Sequence, residues 1–206
     1  MEVESQNTEQ TLLKAAEKLF IEKGFDGAKM TDIARLAGVN HALLHYYFRT
    51  KENLFNKVFE QIATQMVGFF NIAFEGEAPF FEKLKRAIES HFDGLVERVN
   101  LPMFIFREVI QEKEKKDYFL GQIFPTAKRI LAKIHSDIKR EMKKGTIRPV
   151  KAQDVLLNIA ALNVFSFIGA EILFDTKDEN MSCTLKKFLD DRKQNNVNTI
   201  INSLKL

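Results

Sequence analysis

Apolar residues recur with a period near 3.6 along almost the whole chain. Over residues 8–24, Leu12, Leu13, Ala15, Ala16, Leu19 and Phe20 make an i, i+3, i+4, i+7 stripe. Lys14, Glu17, Lys18 and Glu22 take the opposite face, and Lys23-Gly24 supplies a cationic last turn and a glycine stop. Two short helices are predicted at 30–37 and 41–48, with Gly38 as the turn between them, and a long helix at 51–74 that Gly76 and Pro79 break. Further helices are predicted at 80–99, 102–114, 126–144, 152–174 and 184–204. Pro102 and Pro125 stand where a helix start tolerates proline. No alternating strand pattern, repeat or low-complexity tract interrupts this series. The pattern predicts an all-α fold of about nine helices. The basic run Lys113-Glu114-Lys115-Lys116 reads as a solvated turn.

Composition narrows the class. A chain of 206 residues, 45% hydrophobic and 29% charged, can bury one core or two small ones. The net charge is only +3, so any nucleic-acid binding must rest on a local patch. The one cysteine, Cys183, rules out an internal disulfide and a cysteine zinc cage. The 19 phenylalanines, with no tryptophan beside them, promise apolar walls without polar handles. The acidic first residues lack the basic and apolar regions of a signal peptide, so a cytoplasmic location is expected. Val155–Phe174 approaches the length of a membrane span, with Glu171 its single charge. With Asn158, Asn163 and Ser166 inside it, it is expected to be buried in protein instead, with no membrane partner.

The stretch that carries chemistry is 30–54, MTDIARLAGVNHALLHYYFRTKENL. Two helices of fewer than ten residues cannot stand alone and must pack on each other and on the first helix. Ile33, Ala34 and Ala37 give an apolar face of mostly small residues that permits a close crossing, and Val39 can plug the angle. Asn40 can cap the next helix through its side-chain oxygen. This is a helix–turn–helix, whose second helix can enter the major groove of DNA. On that helix Leu44 and Phe48 form the inward pair, while His41, Ala42, Leu43, His45 and Tyr46 can lie outward. Tyr47, Arg49, Thr50 and Lys51 follow at positions able to reach phosphate.

With these residues in place the chain resembles the TetR family of bacterial transcription regulators. The resemblance is carried by Thr11–Gly24, Phe25-Asp26-Gly27, Asp32-Ile33-Ala34, Ala37-Gly38-Val39, Leu44, Tyr47-Phe48, Lys51-Glu52 and Leu54, about a quarter of the chain. It implies a DNA-binding domain over residues 1–50. It also implies a helical domain over 51–206 that binds an effector and dimerises through its last two long helices. Three positions depart from the family pattern: Lys29 where a Ser or Thr cap is usual, Asn40 for the usual Ser, and His45 where a tyrosine is common.

Other chemistry is thin. His41 and His45 stand at i, i+4, a spacing that can hold a metal, but nothing beside them completes a site, so no metal and no cofactor are expected. His91 and His135 read as surface or core-edge residues, and the absence of phosphate-loop and nucleophile motifs argues against an enzyme. The expected function is that of a sequence-specific regulator, a repressor on a palindromic double-stranded operator. Its effector is expected to be small and apolar. Residues Asn40, His41, Ala42, Leu43, His45, Tyr46, Tyr47 and Lys51 are expected to meet DNA. Phe70, Phe74, Phe92, Phe104 and Phe167 are expected to line the effector pocket, with Arg107 or Glu171 for a polar end. Val155, Ile159, Leu162, Val197, Ile200, Ile201 and Leu204 are expected to form the homodimer interface. A ligand-binding helical protein or an enzyme with an inert helix–turn–helix is the alternative reading.

Overall fold

A computed structural model describes residues 2–110, 113–174 and 182–206. Among them are α1 (Glu2–Gly27), α2 (Met30–Leu36), α3 (His41–Phe48), α4 (Lys51–Ala73), α5 (Phe80–Val96) and α6 (Leu101–Ile105). A π-helical turn (Phe106–Ile110) follows, then α7 (Lys113–Lys144), α8 (Ala152–Leu173) and α9 (Ser182–Leu204). The chain is all-α, as its periodicity predicts. Three local details differ from the sequence reading. The basic run 113–116 opens α7 rather than forming a turn. Pro125 lies inside α7, which runs through it with Ile130, Ile134 and Ile138 buried beyond. An internal proline costs about 3 kcal/mol, so the buried stripe that follows outweighs the local penalty. Of the expected helix 102–114, residues 102–105 belong to α6, residues 106–110 form a π turn, and residues 113 and 114 open α7.

The chain packs as two compact units: Met1–Thr64 with Met103–Gln122, and Gln65–Pro102 with Ile123–Leu206. This packing division runs differently from a division by function after residue 50. The first half of α4 and residues 103–122 belong with the helix–turn–helix, and α4 and α7 each continue from one unit into the other.

Unit 1 is built on phenylalanine. Leu12, Ala16 and Phe20 of α1 are fully buried, together with Ile33, Leu44 and Leu54, and Phe55 is buried beside them. The Phe55 ring sits 5.1 Å from Phe20, 4.9 Å from Phe25 and 4.7 Å from Phe59, two of these contacts edge-on. Phe104 reaches Phe59 at 5.6 Å. Edge-on and offset pairs of this kind add about 0.5–1.5 kcal/mol each beyond the area they bury.

Unit 2 holds two apolar clusters. The larger joins Phe74, Leu84, Ile88, Ile134, Val155, Ile159, Val197 and Ile200, and the smaller joins Phe92, Leu95, Phe167, Ala170 and Leu189. Lys83 of α5 and Asp137 of α7 form a buried ion pair at 3.2 Å, and Arg140 holds the other carboxylate oxygen at 2.8 Å. A buried polar chain links α5, α8 and α9. Asn163 donates to the Ile88 carbonyl at 2.9 Å and lies 3.1 Å from His91 Nδ1. Asn196 donates to Asn163 Oδ1 at 3.0 Å and to Ser166 Oγ at 3.2 Å. Arg192 closes the chain on Asn196 at 3.0 Å.

Helix α8 is long and apolar enough to cross a membrane by length and composition. Its Val155, Ile159, Asn163, Phe167 and Ala170 face the core of unit 2. On its other side Leu157, Phe165, Ile172 and Leu173 are 67–76% exposed. This corrects five of the expected dimer residues, since Val155, Ile159, Val197, Ile200 and Leu204 are buried in the chain's own core; Leu162 and Ile201 are half-buried beside it.

Candidate nucleic-acid interface

The turn between α2 and α3 forms as its sequence dictates. Gly38 takes φ +70°, a value only glycine holds cheaply, and the Val39 N–H closes the turn on the Ala34 carbonyl at 3.0 Å. Asn40 is extended and its Oδ1 accepts the Leu43 N–H at 2.8 Å, so it caps α3. Lys29 precedes α2 without a side-chain cap. Asp32, without a cap partner there, pairs with Arg35 at 2.8 Å and with Lys23 of α1 at 3.7 Å. After α3 the chain turns through Arg49 at φ +58°, and Thr50 Oγ1 caps α4 by accepting the Asn53 N–H at 3.1 Å.

Leu44 and Phe48 are the buried residues of α3. His41, Ala42, His45 and Tyr46 are exposed, Tyr46 by 79%, whereas Leu43 and Tyr47 are half-buried. The His41 and His45 rings meet edge-on at 4.5 Å, and His45 Nδ1 lies 2.9 Å from the Arg49 carbonyl oxygen, which orients that ring. Tyr47, Phe48, Arg49, Asn53, Lys57 and Glu9 line an open cleft beside the helix. A hydrogen bond from Lys57 to Glu60, 2.7 Å long, raises that ammonium above the ordinary lysine value. Lys51 is half-buried: its Nζ donates to the Asp26 carbonyl at 3.3 Å and stands 4.5 Å above the Phe25 ring. The lysine read as a phosphate contact thus also ties α4 to the end of α1.

The residues expected around an effector do not all fall together. Phe70, Phe74, Phe92, Phe167 and the half-buried Glu171 belong to unit 2, whereas Phe104 and the exposed Arg107 belong to unit 1. Phe92 and Phe167 touch at 4.9 Å, while Phe74 sits in the other apolar cluster. Arg107 pairs with Glu108 at 3.3 Å. The polar group beside the unit 2 rings is His91, which was expected at the surface or the core edge and lies in the interior instead. His91 is buried with its ring 5.1 Å from Phe70, and burial pushes it down to about 4. Its place on the apolar face of α5, seven residues after Leu84 and three after Ile88, was the available signal.

A capped recognition helix that shows His41, His45 and Tyr46 to solvent, in the N-terminal part of an all-α chain, is the arrangement of a helix–turn–helix DNA-binding regulator. Residues 12–58 match the family described as bacterial regulatory proteins, tetR family. The HTH-type transcriptional regulator YhgD of Bacillus subtilis (strain 168) is 27% identical over 148 residues, 67% of this chain and 71% of that protein. The HTH-type transcriptional repressor NicS of Pseudomonas putida is 41% identical over 59 residues, 29% of this chain and 28% of its own. The crystal structure of the transcriptional regulator FadR from Bacillus subtilis in complex with stearoyl-CoA shares the fold. It has a TM-score of 0.65 at 20% identity and covers 91% of this chain and 97% of that one. Residues 12–58 thus carry a helix–turn–helix of the tetR type, and over 148 residues the chain is similar to an HTH-type DNA-binding transcriptional regulator.

Proposed function

We propose that the chain is a homodimeric repressor that binds a palindromic operator and leaves it when a small, largely apolar ligand binds. Residues 1–50 read the DNA, and residues 51–206 dimerise and take the ligand. The observation that carries the reading is the face of α3: His41, Ala42, His45 and Tyr46 are exposed while Leu44 and Phe48 fix the helix from behind. His41, Leu43 and His45 address base edges, with Leu43 toward a thymine methyl. Asn40, Tyr46, Tyr47 and Lys51 address phosphates. The cytoplasm is where such a regulator meets its operator.

Dimerisation is supported by α8. Leu157, Ala161, Phe165, Ile168 and Ile172 lie on one stripe, opposite the face that packs into unit 2, and Leu157, Phe165 and Ile172 are largely exposed. Several large apolar side chains on one helix face call for a covering partner, and a second copy supplies a self-complementary one. A ligand rich in methylenes is supported by Phe70, Phe92 and Phe167, and by the fold shared with a regulator crystallised with stearoyl-CoA. Stearoyl-CoA and free stearate are therefore the first ligands to test, by competition against a fluorescent operator. Binding to the protein should weaken the operator by a factor of about 5–150 and operator should weaken the ligand equally. A ligand that binds tightly and leaves operator affinity unchanged contradicts the release mechanism.

A further inference from the structure

Residues 103–122 leave unit 2, pack within unit 1 and return. This segment meets α1 at a break in the helix. Gly24 interrupts α1 with φ +74° and ψ 175°. The Phe25 N–H just beyond the break donates to Glu108 Oε2 at 3.3 Å, and Glu108 Oε1 accepts from Arg107 Nε at 3.3 Å. The Glu108 side chain is 18% exposed. The positive φ requires glycine at position 24, and the carboxylate lies close against it: a methyl group there would come within 2.7 Å of Glu108 Oε1, the movable end of that side chain. The Phe25 ring carries Lys51 Nζ at 4.5 Å and Lys115 Nζ at 4.8 Å. The π turn Phe106–Ile110 supplies Glu108, a local irregularity of the kind found at working sites in helices.

We propose that Glu108 is a positioning residue for operator binding: its carboxylate holds the Gly24–Phe25 break and so fixes the end of α1 on which the helix–turn–helix rests. This rests on the reading of the chain as a sequence-specific DNA binder. Lys23, one residue before the break, pairs with Asp32 of α2, and Lys51, across the break, opens α4. Loosening the break therefore frees both contacts that bracket α2 and α3. Phosphate attraction survives a small change in helix angle, whereas base-edge readout does not.

The test compares the full-length wild type with Glu108→Ala and Glu108→Gln. Glu108→Ala should speed amide exchange at Phe25 by about tenfold, the scale of a lost charge-assisted hydrogen bond, with exchange in α5 and α8 unchanged. It should weaken the selected operator about five- to tenfold while random duplex DNA at low salt changes less than about twofold. Glu108→Gln keeps an acceptor oxygen and should recover most of both effects. Unchanged Phe25 exchange in Glu108→Ala overturns the proposal, as does a parallel loss of specific and random binding. A wild type that prefers no sequence would instead remove the DNA-reading premise, and exchange at Phe25 would still decide whether Glu108 holds the break.

Discussion

His91 is a histidine kept neutral by its surroundings. Its Nδ1 faces the Asn163 amide, its ring lies on Phe70, and burial lowers it from 6.5 to about 4. The folded state therefore resists a proton that the unfolded chain takes up below about pH 6.5. Between about pH 6.5 and pH 4 the unfolded state binds more protons, so stability falls as the pH falls. Passing from pH 7.5 to pH 5 should remove about 2 kcal/mol through this one group. Denaturant melts at both pH values should show that loss in the wild type and a smaller one in His91→Gln. Equal losses in the two proteins would mean that another group controls the acid limb. The sequence shows that a histidine sits on an apolar helix face, but not that Asn163 and Asn196, 72 and 105 positions further on, come to meet it. Asn40, by contrast, is legible: its cap involves a partner three residues away, so local chemistry suffices.

At the scale of elements, amphipathic helices are the readable ones. The face of α5 that packs inward, Phe80, Leu84, Ala87, Ile88, Phe92 and Leu95, is written in its spacing. Helix α8 is apolar on all sides, so periodicity cannot tell the face that meets unit 2 from the face left outside. The interface that the sequence suggests therefore draws on residues of the first face. Break points are legible where the cause is backbone, as at Gly24, Gly38 and Gly145, all at positive φ. They are misleading where packing overrides the local rule, as at Pro125. The two faces of α8 make opposite predictions. Phe165→Asp should leave the helical circular dichroism intact and yield monomers by sedimentation, with weakened operator binding. Ile159→Asp should place an unpaired charge in the core of unit 2, at a cost of about 3–5 kcal/mol, and unfold that unit first. A dimeric Phe165→Asp protein would place the interface elsewhere.

For the whole molecule, the fold was legible because helix count, order and the helix–turn–helix are local patterns repeated along one chain. The packing of residues 103–122 into the DNA-side unit was not, since it depends on contacts such as Phe104 with Phe59 and Glu108 with Phe25, 45 and 83 positions apart. The central claim is that α3 reads DNA sequence as one half of a two-fold pair. Selection of bound duplexes from a random pool, with the full-length wild type, tests it most directly. The account predicts a palindromic consensus whose half-sites lie about one helical turn apart, roughly 34 Å, as two recognition helices require. His41→Ala with Leu43→Ala should alter one or two positions in each half-site, each worth about 1–3 kcal/mol. A pool that enriches no sequence, or a consensus that is unchanged by that double substitution, would contradict it.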